Sequence, residues 1–155
     1  MSIHFSNREM QRAWKNNLKA YEQANNTSSN IRTNAHRLLL FYSIECGLKA
    51  ALMKDQSVNY TQECDQVRQC SHNINKLLDA LRAGHNLKIS SKIVMQAKNG
   101  SERSLNSGEI NQMWRYGGEA THTQNGQGNL VDLSDEDLEK QLLKISIWIR
   151  EVLHS

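Results

Sequence analysis

Leu38-Leu39-Leu40-Phe41-Tyr42-Ser43-Ile44-Glu45-Cys46-Gly47-Leu48-Lys49-Ala50-Ala51-Leu52-Met53 is the stretch on which the reading of this chain turns. It is apolar on nearly every side, the pattern of a helix at the centre of a bundle. Glu45 and Lys49 interrupt the run, and it is too short to cross a bilayer. The helix around it is expected from about Ile31 to Lys54. An Asn25-to-Asn30 polar connector, rich in capping side chains, precedes it.

Working outward, the flanking segments carry helical stripes. Met10, Trp14, Leu18 and Tyr21 recur at helical spacing behind a Ser6 or Asn7 cap, and Arg12, Lys15, Lys19 and Glu22 fall on the opposite face. Ser71 is read as the cap of a third helix, with Ile74, Leu77, Leu78 and Leu81 on one face and an end near Gly84. Leu87 to Lys98 favours a helix through Ile89, Ile93, Val94 and Ala97, although Leu87-Lys88-Ile89 also alternates as a short strand. Gly100 to Asn106 is read as loop. A short helix from Ser107 to Trp114 would bury Ile110, Met113 and Trp114. Gly117 to Leu133 then reads as a long glycine-bearing connector, a length often functional or mobile. Ser134 caps the last helix, whose first turn holds Asp135, Glu136 and Asp137 where the dipole favours acids. Leu138, Leu142, Ile145, Ile149 and Val152 form its core stripe. The expectation is an all-α fold, a four- to five-helix bundle in one domain over residues 1–155.

Composition agrees with that expectation. The 155 residues include no proline and 6% aromatics, and Leu, Ala, Lys, Glu and Gln dominate. A net charge of +3 tolerates a polyanionic partner without announcing one, since no Lys- or Arg-rich block is present. Cys46, Cys64 and Cys70 form no Cys-x-x-Cys pair, and Cys64, Cys70 and His72 fall short of the four ligands zinc takes. No metal and no cofactor are expected. The N-terminus lacks a basic-then-apolar signal pattern, so the expected setting is cytoplasmic, away from membranes.

Chemistry-bearing residues cluster in Trp114-Arg115-Tyr116-Gly117-Gly118-Glu119-Ala120-Thr121-His122. A permanently charged guanidinium and an imidazole that exchanges protons near neutral pH form a minimal kit for cleaving a phosphodiester without metal. Trp114 is best read as an anchor for this segment. Glu45 is the other unusual residue, a carboxylate between Leu38, Phe41, Leu48 and Leu52 on an otherwise apolar face. Two readings stay open for it: a pair with Lys49 one turn later, or a reach across the bundle to orient Arg115. His72 reads as a polar residue in the first turn of the third helix. His4, His36, His85 and His154 have no partner that the sequence names.

Three of these places resemble the HEPN superfamily (higher eukaryotes and prokaryotes nucleotide-binding), which is built on a helical bundle. Glu45-Cys46-Gly47-Leu48-Lys49-Ala50-Ala51-Leu52 is similar to its Glu-x-x-x-Lys-Ala-x-Leu helix. His72-Asn73-Ile74-Asn75-Lys76-Leu77 is similar to its His-x-Leu-x-x-Leu helix start. Arg115 to His122 fits its Arg-x4–6-His motif at the longest spacing, departing from the commoner form in Tyr116 and the Gly-Gly that follows. The resemblance spans about residues 31–150. It implies a metal-independent endoribonuclease of a toxin, phage-defence or RNA-processing system, acting on RNA as a homodimer that faces two Arg/His pairs across one cleft. In it Arg115 would hold the phosphate and His122 would serve as base or acid, with Tyr116 bordering the interface and Glu45 in support. An antitoxin or defence-system protein would be a further partner. The competing expectation is a non-catalytic helical module that binds a nucleotide, RNA or a partner protein.

Overall fold

A computed structural model of the chain describes residues 4–25, 33–98 and 101–154. The start expected for the second helix at Ile31, most of the Asn25-to-Asn30 connector and Gly100 lie outside the described residues. Helix α1 spans Asn7–Asn25 and α2 spans Asn34–Asp55; after a short 3-10 turn at Thr61–Glu63 come α3 (Asp65–Cys70) and α4 (Ile74–Ala80). A second 3-10 turn, His85–Leu87, leads to β1 (Lys92–Lys98) and β2 (Ser101–Asn106). Then follow α5 (Ile110–Arg115), β3 (Ala120–Gln124), β4 (Leu130–Asp132) and α6 (Asp135–Leu153).

The all-α expectation is therefore overturned. Beside the helices stands a four-stranded antiparallel sheet in the order β2-β1-β3-β4. It is built from the three segments read as uncertain helix, loop and connector. Its strands hold few large apolar residues because only one face packs. Ile93, Leu105 and Ala120 are buried, whereas Glu102, Arg103, Ser104 and all of β4 are exposed. Ile93 pairs with Leu105 on one side and with the β-branched Thr123 on the other, cross-strand neighbours that favour the pleated conformation over a helix.

Around α2 the reading from sequence holds. The helix packs against α1, α4, α5 and α6, and its residues from Leu40 to Met53 are buried on nearly every side. Gly47 makes that centre possible. A Cβ there would meet Ile149 Cγ2 at 2.8 Å and Trp14 Cδ1 at 2.9 Å, so any larger residue would push α1 or α6 away. Ser6 is the cap of α1, closing a capping box with Glu9, and Ser134 and Asp137 do the same for α6. The third helix differs from expectation. Ser71 does not cap it but turns the chain at φ +50°, between α3 and α4, and Asn73 caps α4 through the Lys76 amide.

A buried polar network ties the helices to the sheet. Glu139, fully buried on α6, accepts from Tyr21 Oη of α1 and from Arg37 Nε of α2, the latter at 3.1 Å. Arg37 also reaches Asp135, 4.0 Å away, and Asn34 Oδ1 at 3.2 Å. Asp135 Oδ1 in turn accepts from Trp114 Nε1 (3.0 Å) and from the Ala120 amide (3.1 Å). Trp114 is thus an anchor, 2% exposed, with its one polar atom satisfied.

Candidate functional site

Arg115 occupies the last turn of α5, and its side chain is exposed. Its guanidinium donates to the Tyr42 hydroxyl of α2, and Tyr42, followed by the neighbouring Tyr116, raises its already high pKa further. Tyr116 is 77% exposed, the most exposed large apolar side chain among the described residues. A fixed cation beside an open aromatic face suits a phosphate next to a base.

His122 lies elsewhere than a flexible connector. It sits in the middle of β3, between Val94 of β1 and Asp132 of β4. Its Nδ1 is 3.1 Å from Thr121 Oγ1, and its Nε2 is 3.3 Å from the exposed Asp132 carboxylate. Among the described residues no hydrogen bond or ion pair joins His122 to Arg115. Sequence proximity placed them together, whereas a tight turn through Gly117 (φ +81°) and then a strand carry the chain from one to the other.

The expected pair between Glu45 and Arg115 is likewise not formed. Glu45, 8% exposed, pairs with two other groups: Lys49 Nζ at 3.2 Å from Oε2, and His72 Nδ1 at 2.7 Å from Oε1. The physical reason is reach: His72 sits in the turn between α3 and α4 and brings its imidazole to Glu45, while the Arg115 guanidinium is taken by Tyr42. Tyr42, which the sequence reading passed over, takes the guanidinium instead. Tyr42, Glu45 and Lys49 follow one another along a single flank of α2 at helical spacing. That spacing, polar residues at i, i+3 and i+7 inside an apolar helix, was the available signal.

Beyond Lys49 the flank opens into a cleft of about 640 Å³ between α1, α2 and α3, lined by Phe5, Arg12, Glu45, Lys49, Val67 and Arg68 among others. It mixes cations with apolar wall, a size and character common in small-molecule sites. Cys46 borders it as well. Burial, and then the Glu45 carboxylate, push its thiol up to about 11, with Lys49 opposing. At pH 8 its thiolate population is then about a hundredfold below that of an unperturbed cysteine, so labelling should be slow. Site-resolved mass spectrometry of maleimide adducts checks this. Glu45→Gln should speed the labelling of Cys46, and a free-thiol rate in the unaltered protein would contradict the environment described.

Among the described residues, no group of three or more His, Cys, Asp or Glu side chains is placed to hold a metal ion. No helix among them is long and apolar enough to cross a membrane. Comparisons with protein families, with curated proteins and with solved structures returned no match.

Proposed function

We propose that this protein is a metal-independent endoribonuclease. One observation carries the reading: the exposed Arg115 guanidinium, steadied by Tyr42 and flanked by the open ring of Tyr116. The guanidinium would hold the scissile phosphate and offset charge growing on its equatorial oxygens, while Tyr116 stacks a neighbouring base. His122 would exchange the proton, its ring set by Thr121 and Asp132. The HEPN resemblance of the α2 and α4 sequences supports the same reading and would give it a toxin, phage-defence or RNA-processing setting. In a homodimer, a second protomer would face its own Arg115, Tyr116 and His122 across the substrate, completing a site that one chain leaves divided.

The test is cleavage of single-stranded RNA by purified protein in excess EDTA, with end-group analysis of the products. The expected result is a cyclic phosphate and a free 5′-hydroxyl, with no cleavage where the 2′-hydroxyl is replaced by hydrogen. Light scattering at micromolar concentration should give twice the chain mass. RNA left intact, or cleavage only with added magnesium, would overturn the proposal.

The cleft beside Lys49 favours a second reading, a non-catalytic module that binds a nucleotide. A protein that binds a mononucleotide, loses it on Lys49→Ala and never cuts RNA would establish that reading in place of the first.

A further inference from the structure

Glu45 and His72 form a polar pair on the same flank of α2 as Tyr42, and the ribonuclease proposal above gives His72 no task. Their bond is 2.7 Å long, between Glu45 Oε1 and His72 Nδ1. The carboxylate is nearly buried and its other oxygen is held by Lys49. The imidazole is not buried: its side chain is 49% exposed. A ring that donates Nδ1–H to a fixed carboxylate is locked in the tautomer whose lone pair lies on Nε2. Among the described residues nothing bonds that Nε2, and about half of the side chain is open to solvent. The backbone enforces the arrangement. Ser71, immediately before His72, is held at φ +50° and ψ −120°, a conformation unfavourable for a residue with a side chain.

Position on α2 ties this pair to Arg115. Glu45 is three residues beyond Tyr42, which rises about 4.5 Å along the helix axis and places both on neighbouring surface positions. Tyr42 holds Arg115 and Glu45 holds His72. The turn before α4 and the end of α5 thus bring an imidazole nitrogen and a phosphate-seeking guanidinium to adjacent points of one helix flank. The turn before α5 is fastened to the start of α4 by Ser107 Oγ, which donates to Asn73 Oδ1 at 2.8 Å.

We infer that His72 is the general base of the proposed ribonuclease and Glu45 its positioning residue. The inference rests on that reading and assigns the role it left open. His72 Nε2 takes the proton of the ribose 2′-hydroxyl as the 2′-oxygen bonds to the phosphorus held by Arg115. The bond from phosphorus to the 5′-oxygen breaks, and the departing oxygen takes a proton from His122 in its imidazolium form. The products are a 2′,3′-cyclic phosphate and a 5′-hydroxyl, and solvent returns each imidazole to its starting state. The Glu45 carboxylate offsets the positive charge that His72 gains.

The experiment measures the pH dependence of RNA cleavage in EDTA for the unaltered protein, His72→Asn and Glu45→Gln, each checked for folding by circular dichroism. A parallel NMR titration follows the imidazole nitrogens of His72 on adding a 2′-deoxy oligonucleotide, which binds but is not cut. The expected results are a fall in rate on the order of a hundredfold for His72→Asn with loss of the acidic limb of the profile. Glu45→Gln should give a smaller fall with that limb displaced, and the oligonucleotide should perturb Nε2 and leave Nδ1 in place. Cleavage by His72→Asn at the unaltered rate and profile overturns the assignment while the ribonuclease reading stands. Unaltered protein that leaves RNA intact overturns both.

Discussion

Arg37→Ala should destabilise the protein by about 3–5 kcal/mol, the cost seen when one member of a buried ion pair is removed. Arg37 is 12% exposed and Glu139 1% by side chain, so water screens their contact little. Truncating Arg37 deprives the Glu139 carboxylate of this cation in a place where hydration cannot replace it, and Asp135 loses the same neighbour. Urea unfolding followed by circular dichroism measures the effect. The double variant Arg37→Met with Glu139→Leu should recover much of the loss, because a buried ion pair costs desolvation that well-packed apolar groups avoid. A single variant as stable as the unaltered protein would mean that the network adds little to the join between α1, α2 and α6.

Arg115→Ala should lower RNA cleavage at least about a hundredfold, and Arg115→Lys should recover only part of it. Lysine restores the charge but not the planar fork that grips two phosphate oxygens while also donating to Tyr42. His122→Ala should fall by a similar factor through loss of proton transfer. Both side chains are exposed or half exposed and neither belongs to the core, so melting temperatures should hardly move. Single-turnover rates on a defined RNA, together with thermal melts, separate the two effects. Substitutions that unfold the protein, or that leave cleavage untouched, would remove these residues from the mechanism.

The helical half of the molecule was legible because its stripes are long. Met10, Trp14, Leu18 and Tyr21 repeat over several turns, as do Leu138, Leu142, Ile145 and Ile149, and all are buried. The sheet was not legible, because its strands are short and mostly wet. Val94 is half-buried beside Ile93, Ser101-Glu102-Arg103-Ser104 offers no apolar alternation, and Leu130-Val131-Asp132 is exposed throughout. Such segments gain their conformation from pairing with distant strands, information that a local window lacks. At the candidate site, residue types were readable but partners were not. Glu45 announced that it needed a partner. That the partner is His72 as well as Lys49 depends on the unusual turn at Ser71, which nothing in the residue type foretells. Adjacency in sequence suggested that Arg115 and His122 act as neighbours, and the intervening turn and strand separate the elements that carry them.

One carboxylate oxygen, Asp135 Oδ1, receives both the Trp114 indole and the Ala120 amide. The segment between them, which carries Arg115 and Tyr116, is therefore a closed ring latched to the first turn of α6. Both ends lean on one atom: the strand bearing His122 and the helix bearing Arg115 share Asp135 Oδ1 as acceptor. Undocking the start of α6 would therefore remove a support from both halves of the proposed machinery at once.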